Sequence, residues 1–292
     1  MDSLKDVSLI TAMVTPFDDT GAVSFDRLAV LIEHLLNTGT QAILVGGTTG
    51  EGPTLSITEK LALFKETVHL VAGRVPIIAN TGSNNTAATI EFTQQTAAIA
   101  GIDAALIVVP YYNKPNQAGL LAHFQAVSEQ GGLPILIYNI PSRTGVAMSV
   151  ATALQLSLLP NVIGIKDCTG ITNLAALVEG TQDHDFYVYT GEDEYAFAAK
   201  TLGAQGVISV SSHLFGAELS QMFADLADNK IGAAAAIMRQ LIPKGQQLFA
   251  QPSPGPVKVV LAHAGIPVGG VRLPLVLPNK VEQERLLNIL DL

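Results

Sequence analysis

Lys166 follows the apolar run Val162-Ile163-Gly164-Ile165, a place where a lysine stem has to lie among buried neighbours. Burial disfavours an ammonium, and a free amine can attack a carbonyl and form an imine. A lysine one residue past a strand can equally sit at a rim, paired with Asp167 or reaching solvent. Other apolar runs also end in polar residues. Gly46-Gly47-Thr48-Thr49-Gly50-Glu51-Gly52 follows the run 41–45. Its glycines allow tight turning, and the Thr48 and Thr49 hydroxyls can hold a small carboxylate, although an ordinary glycine-rich turn has the same composition. Neither GxxxxGK[ST] nor GxGxxG is present, so a nucleotide phosphate cradle is not supported. Tyr111 and Tyr112 follow one run and Tyr138 ends another. Their phenols can relay protons or bind a carboxylate, or rest with the ring in a core and the hydroxyl at its edge. Arg143, in Pro141-Ser142-Arg143-Thr144-Gly145, can clamp a carboxylate through two parallel hydrogen bonds or remain a solvated loop arginine.

The elements that must position these groups are short. Runs rich in Val, Ile and Leu occupy 9–14, 41–45, 76–79, 104–109, 134–138, 162–165, 186–189 and 206–210. Most are apolar on both faces, as parallel strands covered on each side require. Helical patterns lie between them, with expected N-caps at Ser24, Thr58 and Thr86 and terminating glycines at Gly39, Gly73 and Gly101. A strand and a helix repeated eight times, at roughly 20 to 35 residues per unit, predicts an α/β fold: a (β/α)8 TIM barrel over 1–229. The remainder, 230–292, reads as a C-terminal helical appendage, with helices over 231–250 and 257–264 and a last one from Lys280. Active sites of such barrels lie at the C-terminal ends of the strands, where the polar residues above fall.

Composition excludes several functions. Of 292 residues, 48% are hydrophobic and 14% charged, yet no apolar run approaches the length of a membrane span. A net charge of −9 with no Lys/Arg cluster lacks the footprint of nucleic-acid binding. One cysteine, Cys168, rules out an internal disulfide and any CxxC motif, which fits a reducing compartment. The first residues carry acids where a signal peptide is basic, so the cytoplasm is the expected location. The six histidines show no metal-ligand spacing, His34, His69 and His123 fall in expected helices, and no GxSxG elbow occurs. A metal site or a serine or cysteine hydrolase has no support.

With these residues assembled, the sequence resembles the dihydrodipicolinate synthase family of the pyruvate-dependent class I aldolases. The likeness runs from Thr11-Ala12-Met13-Val14-Thr15-Pro16-Phe17 to Arg272-Leu273-Pro274-Leu275. It rests on four motifs in order and spacing: 47–51, 111–115, 138–145 and 164–167. The resemblance implies a lyase of lysine biosynthesis by the diaminopimelate route, joining pyruvate to L-aspartate-4-semialdehyde. Lys166 would form the Schiff base and Tyr138 would shuttle protons, with Thr48 and Tyr112 completing the relay. Thr49 and the backbone of Ile208 would hold pyruvate, and Arg143 the carboxylate of the second substrate. No metal or organic cofactor is implied, because the lysine imine is the electron sink. The resemblance also implies a homotetramer, a dimer of dimers in which the tyrosine matching Tyr112 enters a neighbour's site.

One departure stands out. Relatives inhibited by lysine carry two histidines and a glutamate at positions matching Ile57, Lys60 and Ala88. Two apolar side chains offer no acceptors and a lysine repels a lysine, so feedback is expected to be weak or absent, although Asn84 and Tyr111 match other parts of that site. Two rivals share parts of the pattern. A sister aldolase, such as N-acetylneuraminate lyase or a keto-sugar-acid aldolase, would keep Lys166 and Tyr138. A non-catalytic carboxylate-binding barrel would form no imine. Arg143 and the Thr48-Thr49 pair favour the synthase family over the sister aldolase, and the intact Lys166, Tyr138 and Thr48 set argues against the non-catalytic barrel.

Overall fold

The computed structural model describes residues 3–292. Along the chain run β1 (Leu9–Ala12), α1 (Phe25–Asn37), β2 (Ala42–Val45), α2 (Ile57–Val71), β3 (Ile77–Asn80), α3 (Thr86–Ala97), β4 (Ala104–Val108) and α4 (Gln117–Gln130). There follow β5 (Ile135–Asn139), α5 (Pro141–Thr144), α6 (Val150–Leu156), β6 (Val162–Asp167), α7 (Ile171–Gly180), β7 (Tyr187–Thr190), α8 (Ala196–Thr201), β8 (Gly206–Ser209) and α9 (Ser212–Ala227). The chain ends in α10 (Ile231–Gln247), α11 (Gly255–His263) and α12 (Lys280–Leu290). The eight strands follow one another in chain order as a closed barrel, and the strand pairs are parallel. The expected α/β barrel with C-terminal helices is present. Every residue of β1, β2, β5, β6 and β8 is buried, which is why these runs are apolar without alternation.

By packing, the chain falls into two compact units. One comprises the segment ending at Ser8 with Pro76–Ile208, and the other Leu9–Val75 with Ser209–Leu292. In the first unit, Tyr189 is wholly buried and its hydroxyl donates to the Val7 carbonyl at 2.9 Å, which ties the N-terminal segment to β7. In the second, His213 is wholly buried: its Nε2 accepts from the Val14 N–H at 3.1 Å, and its Nδ1–H donates to the Val210 carbonyl at 2.8 Å. That pair of bonds requires the neutral ring and ties the segment after β1 to the one after β8.

Local details correct some expectations. Ser24 caps α1 as expected, but α2 is capped by Ser56, two residues before Thr58. Ser56 wins because it forms a capping box with Glu59, each side chain accepting the other's backbone N–H. Asn85 caps α3, and Thr86 is its first helical residue. Lys166 lies inside β6 and does not follow it.

Candidate active site

Tyr138 and Lys166 are register partners on β5 and β6, and both are 5% exposed. They are opposite each other because the register shifts by one residue between Ile135 and Leu136: Ile135 pairs with Val162, but Leu136 pairs with Gly164. An unbroken ladder would set Tyr138 opposite Ile165 and Lys166 on the other face of the sheet. With the shift, Lys166 Nζ lies 4.6 Å from the centre of the Tyr138 ring. The next pair, Asn139 and Asp167, points to the opposite face by strand alternation. Asn139 Nδ2 donates to Asp167 Oδ1 at 3.1 Å, while Asp167 Oδ2 accepts from the Thr169 N–H and hydroxyl at 3.0 and 2.6 Å. Asp167 is thus engaged away from Lys166, and among the described residues Lys166 makes no salt bridge.

The end of β7 completes the surroundings of Lys166. Gly191 has no side chain there for a steric reason: a Cβ would collide with Cys168 Sγ and stand 2.7 Å from Lys166 Cε. Burial pushes the Glu192 carboxyl above its ordinary range, opposed by the Cys168 thiol bonded to it and by the charge of Lys166. Burial also pushes the Cys168 thiol up to about 12, so it is no thiolate nucleophile. Gly191 and Glu192 escaped the sequence reading, although they end a strand in the same way as the motifs that reading used.

Arg143 stands exposed on α5, a single turn where a loop was expected. The Thr144 hydroxyl donates to the carbonyls of Ile140 and Val146 at 3.0 and 2.8 Å, which stiffens that turn. Asn139 closes the excursion, its amide donating to the Met148 carbonyl and accepting from the Met148 N–H, both at 3.0 Å. Tyr112, past the end of β4, is 88% exposed and has φ of 73°. Its neighbour Tyr111 is held by Asn84, whose Nδ2 donates to the Tyr111 carbonyl at 3.2 Å. Ile208 is wholly buried in β8.

Thr48 and Thr49 belong to the other packing unit, in the turn after β2. Thr49 is buried and Thr48 half-buried. Gly46, at φ of 68°, starts this turn against the Phe64 ring, and the Thr15 hydroxyl donates to the Gly50 carbonyl at 2.6 Å.

A strand-borne lysine beside a tyrosine suits imine chemistry, and the whole chain has relatives of that kind. Residues 5–291 match the dihydrodipicolinate synthetase family. The chain belongs to this family. It is 52% identical over 284 residues to a 4-hydroxy-tetrahydrodipicolinate synthase of Ligilactobacillus salivarius, covering 97% of this chain and 98% of that one. Among solved structures it resembles dihydrodipicolinate synthase DapA-2 of Bacillus anthracis, with a TM-score of 0.95, 42% identity and 98% of each chain covered. It also resembles the Acinetobacter baumannii dihydrodipicolinate synthase complexed with pyruvate, with a TM-score of 0.94, 38% identity and 98% of each chain covered. Membership agrees with the sequence resemblance over nearly the entire length.

Proposed function

We propose that this chain is a 4-hydroxy-tetrahydrodipicolinate synthase, joining pyruvate to L-aspartate-4-semialdehyde in the diaminopimelate route to lysine, with Lys166 as the imine-forming residue. The observation that carries the reading is the Tyr138–Lys166 pair, a buried phenol against a buried amine on adjacent strands. The Lys166 amine adds to the pyruvate ketone, and loss of water leaves the imine. A methyl proton then leaves through Tyr138 to give an enamine, whose carbon attacks the aldehyde of the second substrate; the new alkoxide is protonated through the same relay. The substrate's own amino group next attacks the imine carbon, closing the ring and releasing Lys166. One water is lost overall, and the imine serves as electron sink without a cofactor.

The other roles are read from the family motifs. Thr48 and Tyr112 extend the proton relay, Thr49 and the Ile208 backbone hold pyruvate, and Arg143 binds the carboxylate of the semialdehyde. The exposure of Tyr112 supports its use by a partner copy, and the family resemblance extends that pairing to a homotetramer, a dimer of dimers. Among the described residues no helix is long and apolar enough to cross a membrane, and a biosynthetic enzyme of this kind works in the cytoplasm.

The test is borohydride reduction with pyruvate followed by intact-mass analysis, beside a coupled assay with both substrates and an assay of N-acetylneuraminate cleavage. A pyruvate adduct on Lys166 and turnover of the semialdehyde are expected. An adduct with N-acetylneuraminate cleavage alone would indicate the sister aldolase, and no adduct would indicate a binding protein.

A further inference from the structure

The C-terminal tail takes hold of the turn that carries Thr48 and Thr49. Glu51 closes that turn: its backbone N–H donates to the Thr48 carbonyl at 3.0 Å, and it sits at φ of 53°, a left-handed conformation uncommon for a residue with a Cβ. Its carboxylate is fully engaged by the tail. Oε1 accepts from Lys258 Nζ of α11 at 2.7 Å, and Oε2 accepts from the Arg272 backbone N–H at 2.8 Å. Both side chains of the Glu51–Lys258 pair are 0% exposed. Lys258 also donates to the Gly270 carbonyl at 2.7 Å and lies 4.2 Å from the centre of the Phe17 ring, which Arg272 covers at 4.6 Å. The Arg272 guanidinium donates to the Gly21 and Thr54 carbonyls at 2.9 and 3.0 Å and to Glu59 Oε1 at 2.5 Å. Thr54 in turn donates its N–H to the Glu51 carbonyl at 2.9 Å.

A wholly buried ion pair adds little net stability over apolar side chains of the same volume, because desolvation offsets the attraction. Here burial also draws Lys258 down to about 8 against the pull of Glu51. What such a pair does supply is a fixed position, since both charges must meet within hydrogen-bond distance. We propose that Glu51, Lys258 and Arg272 are positioning residues for the reaction, locking from the C-terminal tail the turn that presents the Thr48 and Thr49 hydroxyls. The proposal rests on the roles read above for those two threonines.

Two variants test it. Glu51→Asp keeps an ionised partner for Lys258 but is one methylene shorter, so the pair re-forms only if the turn moves. Glu51→Gln combined with Lys258→Met removes both charges and strands neither. In either folded variant, KM for pyruvate is expected to rise about tenfold or more, and the rate of borohydride-trappable adduct formation at low pyruvate to fall by the same factor. A purely structural role would lower the melting temperature and leave both quantities at their wild-type values well below melting; that result overturns the proposal. Thr48→Ala and Thr49→Ala are measured alongside. If they leave KM for pyruvate and turnover unchanged, the reading of the threonines fails and the proposal with it. If they impair either and the Glu51 variants do not, the positioning proposal alone fails.

Discussion

Tyr138 faces Lys166 because β5 and β6 slip by one residue between Ile135 and Leu136. The slip leaves Ile163 as the extra residue of β6 and brings an amine and a phenol to the same face, with Nζ 4.6 Å from the ring centre. Immediately beyond, the Asn139–Asp167 bond holds the two strands together on the other face.

Replacing the phenol should separate imine formation from proton transfer. Tyr138→Phe is expected to lower kcat by about 10²–10⁴-fold, the usual contribution of a positioned acid–base group. Mass analysis after borohydride should still find the pyruvate adduct on Lys166. Wild-type kcat in this variant would remove Tyr138 from the mechanism.

Gly191 must stay without a side chain for Lys166 to keep its place. In Gly191→Ala the added methyl would stand 2.7 Å from Lys166 Cε and press on Cys168 as well. Adduct formation with pyruvate should slow by about 10-fold or more, as a small misplacement of a reacting group does. An unchanged trapping rate would mean that the lysine stem has room to move.

Tyr112 stands 88% exposed on its own chain, and the proposed relay uses it in the site of a partner copy. A monomerised variant, verified by sedimentation, should lose most of its turnover, about 10²-fold if a proton-relay group is missing. Full turnover by a verified monomer would show that each chain holds a complete site.

Acid should weaken the fold at pH values above the ordinary carboxylate range. Burial draws His213 and His123 down to about 4 from an ordinary 6.5, so the unfolded chain binds more protons between those values. Their contribution is full above pH 6.5 and is lost as pH falls towards 4, up to about 3 kcal/mol for the fully buried His213. Glu59, held down to about 2 chiefly by Arg272, acts in a lower window, from its ordinary 4.5 downward. The melting temperature should therefore fall from pH 6.5 to 4.5, less steeply in His213→Gln. A flat profile in the wild type would contradict the neutral, bonded ring.

Lysine should inhibit weakly or not at all. Ile57 and Ala88 are exposed and have no polar side-chain atom, and Lys60 carries the charge of the effector itself. A titration of the coupled assay with L-lysine checks this, and strong inhibition at low concentration would overturn it.

The barrel was legible because its signal is local. Eight apolar runs separated by helical patterns mark buried parallel strands, and the polar residues ending them, Lys166, Tyr138 and Thr48 included, mark the candidate site. Boundaries were less legible. Ser56 displaces Thr58 as a helix cap through its reciprocal bonds with Glu59, and Lys166 joins β6 because hydrogen bonding extends the strand past its apolar portion. Gly191 and Glu192 went unread although they end β7, since a glycine before an acid looks like any turn.

The order of the strands, the residue types at their ends and the family to which they belong all follow from the linear chain, because periodicity and motif spacing are properties of neighbours in sequence. The pairing of Glu51 with Lys258, 207 residues apart, does not, and neither does the one-residue slip that turns Lys166 towards Tyr138. No local pattern marks which buried lysine meets which carboxylate, or where a ladder skips a residue. Those outcomes depend on how distant segments pack.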